Sequence, residues 1–123
     1  SSNAEIARMI IRKTARISSY YNLKWYAVNV QTPAEESNRI NLAVQRHLIN
    51  NFKLATELGA EVIQVKSKSV SSAIMKVAEE NKITTICIGK PHIRLWQVIL
   101  KTNSFNNLLN KLADSDIDLI ILS

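Results

Sequence analysis

Two periods of apolar residues alternate along the chain. Ile6, Met9, Ile10, Lys13, Ile17 and Tyr20 trace a stripe of helical period, which predicts an opening helix over residues 5–21. Residues 24–31 switch to aromatic and β-branched content typical of a strand, and Thr32-Pro33 ends it. Residues 34–38 are polar and read as a loop. From Arg39, the residues Leu42, Val44, Leu48, Phe52, Ala55 and Leu58 predict a long amphipathic helix, stopped by Gly59 as a left-handed cap. Residues 61–65 read as a short strand. Ser67 or Ser69 then caps a helix carrying Val70, Ala73, Ile74, Val77 and Ala78 on one face. Residues 83–88 predict a strand, residues 104–113 a helix through Phe105, Leu108, Leu109 and Leu112, and residues 117–122 a closing strand.

Regular alternation of helix and strand predicts an α/β fold, a three-layer open parallel sheet with helices on both faces. The alternation opens on a helix, whereas such folds open on a strand that is usually central. The first strand is therefore expected to be missing from this fragment. Ser1-Ser2-Asn3-Ala4 reads as an expression scar, leaving residues 5–123 as a single domain.

Composition narrows the class. A hydrophobic fraction of 46% excludes a disordered chain, and no apolar run is long enough to span a bilayer. No signal peptide is read, and the lone Cys87 inside an apolar run fits a reducing cytoplasm. The net charge of +6 favours anionic partners. Arg8, Arg12, Lys13 and Arg16 form the densest basic group, at the spacing of a solvated helix face. No Lys/Arg block is interleaved with aromatics, so nucleic acid is not an expected partner.

The most informative segment is residues 83–91, an uncharged, β-branched run ending in Gly89-Lys90-Pro91. It predicts a strand buried on both faces, and parallel sheets gather ligands beyond the carboxyl ends of their strands. Gly89 permits close backbone approach there, with Lys90, His92 and Arg94 behind it to attract an anion.

Residues 27–33, 54–62 and 86–91, then Trp96 and residues 114–119, form a linked series. It resembles the universal-stress-protein-like (USP) domain of KdpD-type osmosensitive potassium-channel sensor histidine kinases of bacteria, from about residue 5 to the end. The resemblance implies a USP-like fold, akin to adenine-nucleotide alpha-hydrolases, with five parallel strands in the order 3-2-1-4-5. The strands visible here are then the family's second to fifth. It also implies a cytoplasmic module of an inner-membrane, two-component sensor kinase, which regulates expression of a potassium pump through ligand or protein binding. The domain itself is not expected to be an enzyme; its parent is a kinase, hence a transferase. Expected partners are other domains of the parent kinase, a universal stress protein, and a second copy in a homo-oligomer, with the membrane reached only through the parent. The alternative is a free-standing ATP/AMP-binding universal stress protein.

Nucleotide-binding stress proteins carry a Gly-x2-Gly-x9-Gly-[Ser/Thr] loop after the fourth strand. Here Gly89 fills the first position, while His92, Thr102 and Asn103 fill the others, with Ser104 one residue late. Two of the three glycines that let amides wrap phosphate are absent. Lys90, Arg94 and Lys101, with Asn103 and Ser104 at a helix N-terminus, remain candidate phosphate contacts for a regulatory ligand such as ATP.

Some relatives of that kind bind cyclic di-AMP through a Ser-x-Ser pair after the third strand, matched by Ser67 and Ser69. Helix capping is the plainer role for both. Ile93, Leu95 and Trp96 lie in a loop apolar enough to require cover, as a lid or as an interaction surface.

No metal site is expected. The Asp114–Asp118 segment lacks the glycine and distal glutamate of a calcium loop, and His47 has no second ligand at a suitable spacing. Catalysis has no support either, with no nucleophile elbow, Cys–His pairing or Walker motif.

Overall fold

A computed structural model describes residues 2–31, 42–89 and 104–122. The chain divides into two compact units, one through Lys66 and the other from Ser67. No described helix is long and apolar enough to cross a membrane.

The first unit contains α1 (Ser2–Tyr20), β1 (Tyr26–Gln31), α2 (Leu42–Glu57) and β2 (Glu61–Lys66). β1 and β2 run parallel, from Tyr26 opposite Glu61 to Gln31 opposite Lys66. α1 packs on α2, which also lies against β2. The inner side of α1 centres on Thr14 and Ser18, an i,i+4 pair. Ser18 is buried, and Thr14 Oγ1 is buried without a hydrogen-bond partner among the described residues. The helix therefore faces inward a little differently from its predicted stripe. Tyr20 is exposed, because the helix ends there and the chain turns away.

The second unit contains α3 (Val70–Glu80), β3 (Thr85–Gly89), α4 (Ser104–Ala113) and β4 (Asp118–Leu122). β3 and β4 are parallel, from Thr85 opposite Asp118 to Gly89 opposite Leu122. α3 packs on α4, and Ala73, Val77 and Ala78 meet a core that includes Leu108 and Leu112. Burying each of the larger side chains contributes about 1.5–3 kcal/mol.

These two parallel pairings are the ones that the strand order 3-2-1-4-5 implies for its second to fifth strands. The expectation that β3 is buried on both faces is corrected. Ile86, Cys87 and Ile88 are only half-buried and Thr85 is exposed, since among the described residues β3 has a strand on one side alone.

Three helices end by the same device. After α1, Asn22 N–H donates to Ser19 C=O at 3.2 Å and Leu23 N–H to Ser18 C=O at 2.7 Å. After α2 the pairs are Gly59 to Thr56 and Ala60 to Ala55; after α3 they are Lys82 to Glu79 and Ile83 to Ala78. This is the Schellman arrangement, which satisfies otherwise orphaned carbonyls and needs a left-handed residue at the turn. Asn22 (φ 55°), Gly59 (φ 96°) and Lys82 (φ 54°) supply it. Each turn delivers the chain within a few residues to the next strand.

Candidate functional site

The β3–α4 connection carries most of the candidate residues. Gly89 closes β3, and Ser104 is the first residue of α4. The register places Gly89 beside Leu122, at the carboxyl end of both strands. Lys90, His92, Ile93, Arg94, Leu95, Trp96, Lys101 and Asn103 lie outside the described residues. Of the expected site, the described residues hold the glycine that ends β3 and the ten-residue helix α4 that opens at Ser104.

Ser67 and Ser69 stand at the head of α3, where their hydroxyls are engaged locally. Ser69 is the N-cap, and its Oγ accepts from Ser72 N–H at 3.2 Å. Ser67 Oγ accepts from Ser69 N–H at 3.2 Å and donates to Ser69 C=O at 3.0 Å. The capping role is thus seen directly. Ser71 is buried, with its Oγ 3.3 Å from Ser69 Oγ, and Lys111 Nζ of α4 donates to Ser72 Oγ. The serine run showed the cap in sequence, but nothing in it pointed to Lys111, 39 residues away.

Other candidate groups have plain surroundings. Asp114 and Asp116 are exposed in the turn before β4, and Asp118 is exposed as the first residue of that strand. Ser115 organises that turn: its Oγ donates to Leu112 C=O at 2.8 Å and accepts from Ile117 N–H at 3.2 Å. His47 is exposed on α2.

A surface cluster that pattern reading missed joins β1 to β2. Lys24 Nζ lies 3.4 Å from Glu61 Oε2 and 5.5 Å from the centre of the Tyr26 ring. A hydrogen bond to Tyr26, then one to Glu61, hold the Lys24 pKa above its ordinary value.

The fold places the chain among stress-protein-like α/β domains. It superposes on a universal stress protein solved in complex with cAMP with a TM-score of 0.63 and 18% identity, over 94% of this chain and 85% of that one. Two sequence relatives are KdpD sensor proteins. The one from Escherichia coli K12 is 29% identical over 114 residues, 93% of this chain. The one from Clostridium acetobutylicum is 36% identical over 107 residues, 87% of this chain. The chain is a universal-stress-protein-like domain of the kind carried by KdpD sensor proteins. It spans only 12% and 11% of the lengths of those two relatives. No family model matches it.

Proposed function

We propose that this domain is the sensory, regulatory module of a KdpD-type sensor histidine kinase, acting on potassium-transport gene expression by binding rather than by catalysis. The observation that carries this reading is the match to KdpD sensor proteins across about nine-tenths of the chain. In that setting the domain is a cytoplasmic part of an inner-membrane protein. Its partners are the other kinase domains, a universal stress protein or a second copy of itself. A ligand works as a signal only by binding one signalling state more tightly than the other.

The ligand site we propose is the crevice beyond Gly89. Lys90, His92, Arg94 and Lys101 supply positive charge, Asn103 and Ser104 polar contacts, and Ile93, Leu95 and Trp96 an apolar docking surface. A nucleotide is the ligand class supported by the fold neighbour, whose structure contains cAMP. The chain's own Gly89 at the strand end fits such a group, while the absence of two loop glycines removes part of its phosphate wrap. Ser67 and Ser69 would meet cyclic di-AMP only by exchanging their capping bonds for ligand bonds.

Calorimetry with ATP, AMP, cAMP and cyclic di-AMP tests the site. Saturable binding abolished by Gly89→Val and by Lys90→Glu supports it. Binding that survives both changes overturns it. No binding by any nucleotide leaves regulation through protein contacts alone, to be sought by pull-down with the kinase's other domains.

A further inference from the structure

The α1–α2 pair is cationic and also apolar on its exposed surface, a combination that the nucleotide reading does not use. Arg8, Arg12 and Arg16 are all exposed and follow one another at i,i+4 spacing, a row about 12 Å long. The row lies on the side of α1 away from Thr14 and Ser18. Tyr20 continues it by one more i,i+4 step and is 83% exposed. Tyr21 is 65% and Leu23 58% exposed just beyond, the two tyrosine rings meeting edge to face at 5.0 Å. On α2, Leu42 is 73% and Ile49 63% exposed, with Arg46 and Lys53 also at the surface. Across both helices six Lys or Arg stand against Glu5 and Glu57 alone.

We infer that this face docks on an anionic lipid bilayer. A solvated helix face accounts for the arginines but not for five large apolar or aromatic side chains exposed on the same helix pair and the turn after α1. Nucleic acid accounts for charge and tyrosines, yet Leu42 and Ile49 offer nothing to a phosphate or a base edge. A bilayer of acidic phospholipids takes all three: guanidinium groups at the phosphates, tyrosines at the headgroup level, and aliphatic side chains at the acyl boundary. Such binding is reversible and depends on both terms together. The contact belongs to the first unit and is independent of the crevice beyond Gly89.

Sedimentation of the chain with vesicles tests the inference, using equal parts phosphatidylglycerol and phosphatidylcholine against phosphatidylcholine alone. Binding to the acidic vesicles only, weakening as salt rises, is expected. The triple change R8Q/R12Q/R16Q lowers the partition coefficient about a hundredfold, roughly fivefold for each charge removed. Y20S/Y21S lowers it further without changing the salt dependence. All five substitutions are at exposed positions, so unchanged circular dichroism and melting confirm that the variants fold. Absence of binding to acidic vesicles overturns the inference, as does wild-type binding by the triple variant. Equal binding to soluble poly-glutamate, indifferent to Y20S/Y21S, also overturns it and assigns the face to an acidic protein.

Discussion

Lys111 Nζ of α4 donates a hydrogen bond to Ser72 Oγ, three residues into the helix that Ser69 caps. Several polar bonds of the second unit thus converge on the first turn of α3. Ser69 Oγ satisfies the Ser72 N–H, Ser67 braces the Ser69 backbone, and Lys111 joins the turn from the neighbouring helix. These bonds differ greatly in weight. The cap replaces water on a backbone donor that has no helical partner, whereas the Lys111 contact is exposed and competes with solvent.

Ser69→Ala is therefore expected to destabilise the protein by about 1 kcal/mol, the usual cost of losing an N-cap. Lys111→Met should change stability by less than about 0.5 kcal/mol. Urea denaturation of the two variants checks the ranking. A larger loss for Lys111→Met than for Ser69→Ala would mean that the lysine, not the cap, holds the turn.

The helix ends offer a matched pair of substitutions. Lys82 occupies a left-handed conformation that costs a non-glycine residue about 1 kcal/mol or more. Lys82→Gly removes that strain and should raise stability by about 0.5–1 kcal/mol. Gly59→Ala imposes the same strain and should lower it by about 1 kcal/mol. The added Cβ would sit 3.9 Å from Trp25 Nε1, an ordinary contact, so the penalty is conformational rather than steric. Thermal melts of both variants should shift in opposite directions. A stabilising Gly59→Ala would show that the turn relaxes out of the left-handed region.

Local chemistry makes much of the architecture legible in the sequence. Gly59 and Ser69 mark helix ends through bonds that involve only residues close in sequence, and both stand where expected. The strand ending at Gly89 is legible too, because the run is short, rich in β-branched residues and flanked by Gly89 and Pro91, which together favour strand over helix. Burial was read less well. Tyr20 and Leu42 continue their helices' apolar periods yet are exposed, since periodicity assigns a residue to a face without saying whether anything covers it. The parallel pairings followed from the family's strand order, which no local signal encodes. Of the candidate site, only its flanking elements can be compared: a strand ends at Gly89 and a helix opens at Ser104 as read, while residues 90–103 lie outside the described structure.

The pH dependence of stability carries a signature of Lys24. Its pKa is raised above 10.5 by the hydrogen bonds to Tyr26 and Glu61, so the folded protein holds this proton more tightly than the unfolded chain. The resulting stabilisation is fully present below the unfolded pKa. It disappears as pH rises through the folded value, because only the protonated ammonium makes those bonds. The lysine is exposed, so the effect is a modest one that salt reduces further. As pH rises above about 10.5, wild type should lose stability relative to Lys24→Met, most visibly at low ionic strength. Glu61→Gln should shrink that difference while leaving the Tyr26 contribution. Parallel stability curves for wild type and Lys24→Met across this range would show that the cluster does not bridge β1 and β2 in solution.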